Sequence, residues 1–526
     1  MPIVLIEMEC IMKKLTFISI VFFSGIFLPC LQAEDKLIST ESKRPPNKKV
    51  KAEDETAKER EVVTESEVEI NGKVVKYTAK AGTLMLKTDY GEKKASIFYI
   101  AYTKKDVNDI SKRPITFSFN GGPGSSSVWL HMGLLGPRRA KMTDEGRMSA
   151  PPYSYENNNY SLLDQSDLVF IDPVSTGFSR AVKNEKAKQF HGVNEDIDSV
   201  GKFIKLFITR HKRWSSPKFL IGESYGTTRS AGLSKYLQGQ GMDLNGICLV
   251  SSVLDFQTLR LGKGNDLPYP LMLPSYTATA WYHKKLSPEL QNKKLPELLK
   301  EVEDFALGDY ATALIKGDRL NDQQKMAVSE NLAKWSGLSK EYVSRSNNRI
   351  NSSYYFKELL RSEGKTIGRY DSRIVGKDRS DVSDHGEYDP SYSGILGSYT
   401  ACMNAYVREE LKYESDMPYN ILTSKVHPWN YGRWTNNYLA VSDDLRSTMN
   451  KNPYLKVFVA SGYYDLATPY FATDYTFDHM DLPENIKKNV MIKYYEAGHM
   501  MYSRKKCLAE LKNDLDHFYQ NTLNGE

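Results

Sequence analysis

Gly222-Glu223-Ser224-Tyr225-Gly226 is the stretch of this chain whose residue types and spacing point most directly to chemistry. The apolar run Phe219-Leu220-Ile221 before it predicts a strand, and the residues after it predict a helix over 227–237. A serine between two glycines at such a junction sits on a sharp turn that lifts its hydroxyl clear of the sheet. The small neighbours tolerate the strained backbone. A serine hydroxyl is a weak nucleophile at neutral pH. It needs a base within reach, and the base needs a third group to hold its orientation.

Both partners are expected downstream, the acid before the histidine. The apolar run 455–460 predicts a buried strand, and Asp465 follows it in the loop Ser461-Gly462-Tyr463-Tyr464-Asp465. A second apolar run, 490–494, leads into Glu496-Ala497-Gly498-His499-Met500, ahead of a final helix over 505–519. Of the chain's nine histidines, His499 has the strand-end, glycine-flanked setting that a catalytic base requires. Asp255, after the strand over 247–250, is the rival acid.

The oxyanion formed on an attacked carbonyl needs preorganised donors. The strand Ile115-Thr116-Phe117-Ser118-Phe119 opens into Asn120-Gly121-Gly122-Pro123-Gly124-Ser125-Ser126-Ser127, whose glycines let backbone amides approach a substrate. The amide of Tyr225, the residue after the serine, is the expected partner donor. No Gly-Lys-Ser/Thr follows the glycines, which excludes a nucleotide-binding P-loop.

The segments Asn120–Ser127, Gly222–Gly226, Gly462-Tyr463-Tyr464-Asp465 and Gly498-His499-Met500, with Asp172-Pro173-Val174-Ser175-Thr176-Gly177-Phe178-Ser179 between the first two, resemble the serine carboxypeptidase family. The similarity runs over about 77–519. It implies an α/β-hydrolase that removes single residues from peptide C-termini through an acyl-enzyme. Carried across, Ser224 is the nucleophile, Asp465 the orienting acid and His499 the base. Gly122 and Tyr225 form the oxyanion hole. Asn120, the Gly121 amide and Glu223 grip the substrate's terminal carboxylate. No metal or other cofactor is implied, and the implied partners are peptide or protein C-termini.

The chain departs from the family pattern at several places. A second glutamate, hydrogen-bonded to the first, is replaced by Leu134. Ser118 stands where a tryptophan is common, and Ala467-Thr468-Pro469 follows the Asp motif in place of Cys-Asn. Arg138 and Arg139 could supply positive charge to a carboxylate or remain on the surface. An esterase, acyltransferase or aminopeptidase using the same triad, or a non-catalytic binding protein on the same fold, stays open at this level.

The rest of the chain must position these groups. Its 526 residues suffice for one large domain with an insertion. Strands alternating with helices predict a mainly parallel sheet, preceded by antiparallel strands from residue 65 onward. Five segments are expected: a signal peptide over 1–33, with Lys13-Lys14 before an apolar stretch; a disordered leader over 34–64; core over 65–254; a largely helical cap over 255–450; and core again over 451–526. The tyrosine-rich stretch 388–399 reads as polar loop, and Tyr276, Trp281, Trp429 and Trp434 as either cap core or substrate contacts. A net charge of +6, part of it in the leader, does not suggest nucleic-acid binding. The signal implies a secreted or periplasmic protein without stable membrane insertion, a lipid anchor at Cys30 being the weaker reading. Beyond it, Cys248, Cys402 and Cys507 allow at most one disulfide. Oligomeric state and residue preference cannot be read from the chain.

Overall fold

A computed structural model of the chain describes residues 56 and 58–525; the expected signal peptide over 1–33 and most of the expected leader lie outside the described residues. A ten-stranded sheet runs through the structure. Nine of its strands are numbered here in chain order: β1 (Glu61–Ile70), β2 (Lys73–Lys87), β3 (Lys93–Lys104), β4 (Ile115–Phe119), β5 (Asp167–Ile171), β6 (Lys218–Ser224), β7 (Gly246–Ser252), β8 (Lys456–Gly462) and β9 (Val490–Tyr495). They lie in the order β1-β2-β3-β5-β4-β6-β7-β8-β9, and the short strand Arg180–Ala181 pairs with β3. From β1 to β5 neighbours are antiparallel; from β5 to β9 every pair is parallel.

β4, β6 and β7 are short and almost wholly buried because both faces of the sheet are covered. Alternate residues feed two cores. Phe219 and Ile221 join one with Phe458 and the C-terminal helix Lys505–Asn524; Leu220 joins the other with Val459 and the helix Val193–Arg210. The serine, acid, histidine and glycine-rich loop expected to act together all lie at or just beyond C-terminal ends of parallel strands, on β4, β6, β8 and β9, with β7 between β6 and β8.

β1 begins at Glu61, inside the stretch expected to be a disordered leader ending at residue 64. Its first residues find partners on β2, from Glu61 opposite Gly82 to Thr64 opposite Ala79, so long-range pairing orders a segment with little apolar side chain of its own.

Of the stretch 388–399, read as loop, residues 390–399 belong instead to the helix Pro390–Glu409. Asp389 caps it by accepting from the amides of Ser391 and Tyr392, and Pro390 occupies the first helical position, where a missing N–H costs nothing. Tyr399, Cys402 and Tyr406 are buried by the sheet core, and that tertiary burial outweighs their weak helix propensity.

The insertion between β7 and β8 is also less uniform than a single cap. Its first part builds a core of its own around Leu271, Tyr276, Leu298, Trp335 and Tyr355, shared with Tyr464 and Tyr470 beside the Asp loop. Helix Pro390–Glu409 and the segment from Val426 to Met449 pack back into the two sheet cores.

Candidate active site

β6 ends at Ser224, whose φ of +59° and ψ of −130° make the turn into the helix Tyr225–Gly239. A non-glycine residue in this region carries strain of about 1–3 kcal/mol, which the surrounding structure must hold. At Gly222 a Cβ would stand 2.2 Å from the carbonyl oxygen of Gly226, so no side chain fits there. Tyr225 begins the helix, and its amide therefore has no intrahelical acceptor.

His499 and Asp465 meet beside the elbow. The Nδ1 of His499 lies 2.7 Å from Oδ2 of Asp465, and both side chains are almost fully buried. The same oxygen accepts from Thr468 Oγ1 at 2.6 Å, while Oδ1 accepts the amides of Ala467 and Thr468 at 2.7 and 3.0 Å. Asp465 is thus fixed by three contacts and presents one oxygen to the imidazole. The His499 backbone is fixed too: its amide donates to Tyr370 O at 2.6 Å, and Ser251 Oγ donates to its carbonyl. Burial alone would lower the His499 pKa, but the charge of Asp465 and its hydrogen bond outweigh this and hold it above the ordinary imidazole value. Ser224 and His499 line one cleft. The rival acid, Asp255, instead caps a short turn by accepting from the Gln257 amide at 2.9 Å.

The Asn120 loop packs directly on the elbow. At Gly121 a Cβ would lie 2.4 Å from the Tyr225 nitrogen, so only glycine lets the two backbone segments approach this closely. The carbonyl of Asn120 accepts from Arg229 Nη1 at 2.6 Å, and Arg229 is paired with Asp196 at 2.7 Å, both side chains buried. Asn120 Oδ1 accepts the Leu130 amide at 3.0 Å. Its Nδ2 is buried beside Glu223 and Tyr502 with no well-formed hydrogen bond, and Asn120 lines the cleft, so this donor has capacity left for an acceptor.

Glu223 also lines the cleft, and Tyr502 Oη donates to its Oε2 at 2.5 Å. Burial raises the Glu223 pKa to about 7, opposed by His499 and by the Tyr502 hydrogen bond and reinforced by the charge of Asp465. Leu134 is fully buried in the first core, and the carboxyl that the resemblance places there has no counterpart at that position.

The cleft spans about 410 Å³ with its open mouth included. Opposite Ser224 it is walled by Trp129, Tyr370, Tyr392, Ile395 and Leu422, and its only ionisable groups among the described residues, tyrosines aside, are Glu223 and His499. Four of these five walls come from the insertion. The aromatics singled out by sequence sit elsewhere. Tyr276 stacks on Tyr355 in the cap core, Trp429 packs edge-on against Tyr225, Trp281 donates to Lys293 O, and Trp434 lies against the second sheet core. Arg138 pairs with Glu410 and Arg139 with Glu156, so neither reaches the cleft. Cys248, Cys402 and Cys507 are buried free thiols.

Sequence reasoning missed Thr468, Tyr502 and the Arg229–Asp196 pair. Thr468 had a local signal, since a hydroxyl residue shortly after an aspartate often closes a turn on it. Tyr502 and Arg229 had none, because their partners lie 279 and 109 residues away.

An open, mainly parallel sheet with a serine elbow on a central strand and an acid and histidine on later strand ends defines an α/β-hydrolase. The match to the serine carboxypeptidase family covers residues 72–512, and the chain belongs to that family. Among curated relatives, a carboxypeptidase Y homologue of Paracoccidioides lutzii is 27% identical over 215 residues, covering 39% of this chain and 34% of that protein. A serine carboxypeptidase-like protein of Arabidopsis thaliana is 25% identical over 230 residues, covering 42% and 41%. The matched region thus spans well under half the length of either relative. A crystal structure of a prohormone-processing carboxypeptidase from Saccharomyces cerevisiae shares the fold, with a TM-score of 0.53 at 16% identity over 85% of this chain and 92% of that one.

Proposed function

We propose that this protein is a serine carboxypeptidase that hydrolyses the C-terminal peptide bond of its substrates. The observation that carries the reading is the buried Asp465–His499 pair opening onto the cleft that also holds Ser224. With Nδ1 committed to Asp465, Nε2 is the nitrogen left to take the Ser224 proton. Ser224 Oγ then adds to the scissile carbonyl, and the oxyanion is held by the amides of Gly122 and Tyr225. Collapse breaks the C–N bond, the leaving amino acid takes the proton from His499, and an acyl-enzyme remains on Ser224. Water, deprotonated by His499, repeats the addition and frees the shortened peptide.

Asn120 Nδ2, the Gly121 amide and a protonated Glu223 suit the terminal carboxylate, which distinguishes exopeptidase from general hydrolase use of the same triad. The uncharged aromatic and aliphatic walls favour apolar side chains next to the scissile bond. The test is hydrolysis of an N-blocked dipeptide against the same compound with its C-terminus amidated, alongside fluorophosphonate labelling of Ser224. Labelling with no preference for the free acid turns the reading towards an esterase, acyltransferase or aminopeptidase. Absence of labelling turns it towards a binding protein.

Export is part of the proposal. It rests on Lys13-Lys14 and the apolar stretch that follows. Among the described residues no helix is long and apolar enough to cross a membrane. Fractionation of cells producing the full-length chain tests it, recovery from the cytosol at full length being the contrary result.

A further inference from the structure

Glu223 sits between the nucleophile's strand and the cleft, and its carboxyl is buried. The groups that face it come from five places in the chain: Asn120 from the loop after β4, Asp465 and His499 from the two loops after β8 and β9, Tyr502 from the turn beyond His499, and Tyr399 from helix Pro390–Glu409. Of these, Tyr502 makes the direct hydrogen bond, to Oε2 at 2.5 Å, and it is itself fully buried. Room for that ring is made by Gly133, where a Cβ would stand 2.4 Å from Tyr502 Cε2 and 2.6 Å from Tyr399 Oη. Gly133 adjoins Leu134, the position at which a second carboxyl is missing.

We propose that Tyr502 is the positioning residue for Glu223, a phenol doing the work of the absent carboxyl: it holds Oε2 and so turns Oε1, beside the Asn120 amide, towards the substrate's terminal carboxylate. This rests on the carboxypeptidase reading given above. A phenol differs from a carboxyl partner in one decisive respect. Two carboxyls share one proton, and once it is lost neither can donate to the other. Tyr502 stays protonated across the working range, because burial and the neighbouring Glu223 charge push its pKa well above the usual phenol value. It therefore donates to Oε2 whether or not Glu223 carries a proton, and the Glu223 proton remains free for the substrate.

The consequence is an alkaline limit set by Glu223 and tuned by neutral donors, Tyr502 first among them. Donation from Tyr502 favours the carboxylate form, so its loss keeps Glu223 protonated to higher pH. It also frees the carboxyl to rotate, which weakens the grip on substrate.

The experiment measures kcat and KM against pH on an N-blocked dipeptide acid and on its C-terminal methyl ester. It compares the wild type, Tyr502→Phe, Glu223→Gln and the double variant. Tyr502→Phe is expected to raise KM for the acid about 5-fold, more than for the ester, and to move the alkaline limb of kcat/KM upward by roughly one pH unit. In the Glu223→Gln background, Tyr502→Phe moves no alkaline limb. Should Tyr502→Phe fail to fold, Tyr502→3-fluorotyrosine keeps the shape and strengthens the donor, and the limb then moves downward. An alkaline limb that stays in place in the folded variant overturns the proposal while leaving the carboxypeptidase reading intact. A wild type with no preference for acid over ester removes that reading, and the proposal with it.

Discussion

His499 Nδ1 and Asp465 Oδ2 stand 2.7 Å apart although 34 residues separate them in the chain. The acid is held from behind by two amides and a threonine hydroxyl, so its remaining hydrogen-bonding capacity is directed at the imidazole. Replacing Asp465 by Asn leaves the shape but puts an N–H where an acceptor is required, which favours the wrong imidazole tautomer. Asp465→Asn is expected to lower kcat by about 10⁴-fold with little change in KM and an unaltered circular-dichroism spectrum.

Thr468 touches both members of this pair, Oγ1 being 2.6 Å from Asp465 Oδ2 and 3.2 Å from His499 Nδ1. Thr468→Val removes a donor from the carboxylate, leaving its charge less neutralised and the imidazolium better stabilised. The acid limb of the pH–rate profile should shift to higher pH, with kcat at neutral pH lower by roughly 10-fold. An acid limb displaced to lower pH contradicts this account.

Two titrations bound the activity. His499 must be neutral to act as base, and its pKa is raised above the ordinary imidazole value, chiefly by Asp465 acting against burial. Activity is therefore lost as pH falls through that raised value. Glu223, at about 7, must be protonated to meet a carboxylate, so activity on peptide acids is lost as pH rises through about 7. A bell-shaped profile with its alkaline side near pH 7 is expected on free acids, and Glu223→Gln should abolish that side. Stopped assays in overlapping buffers across the range are sufficient.

Arg229 and Asp196 form a buried pair whose guanidinium also holds the Asn120 carbonyl. Removing one partner leaves an uncompensated buried charge. Arg229→Met is expected to destabilise the fold by about 3–5 kcal/mol, much of which Arg229→Met/Asp196→Leu should restore. Urea unfolding of the single and double variants measures both values.

His131 is fully buried, stacked on Phe170 and hydrogen-bonded to Tyr102 Oη, and burial lowers its pKa to about 3. Its folded pKa lies below the unfolded value. The stability it contributes is thus present above the unfolded pKa of about 6.5 and is lost as pH falls from there towards 3, at up to ~1.4 kcal/mol per pH unit. His131→Gln, which keeps an acceptor for Tyr102, should flatten that part of the stability curve, as read by denaturant unfolding at successive pH values.

The elbow at Ser224, the loop at Asn120 and the strand-end settings of Asp465 and His499 were legible because their requirements are local. A glycine is demanded where backbone meets backbone, as at Gly222 and Gly121, and apolar runs such as 219–221 declare buried strands in short windows. The helix Pro390–Glu409 was not legible, since its serines, glycine and tyrosines favour a helix only once a sheet core covers them.

By itself, then, the chain determined which side chains are the candidates for the chemistry and the order in which the strands deliver them, because both are written in nearest-neighbour sterics and short apolar runs. Only the tertiary structure decided what stands around them. It set Tyr502 rather than a second carboxyl on Glu223, Arg229 behind Asn120, Thr468 on Asp465, and Tyr370, Tyr392, Ile395 and Leu422 along the cleft. These contacts join residues up to 279 positions apart. Their geometry follows from how packed layers close on one another, a property of the whole fold that no short window of sequence contains.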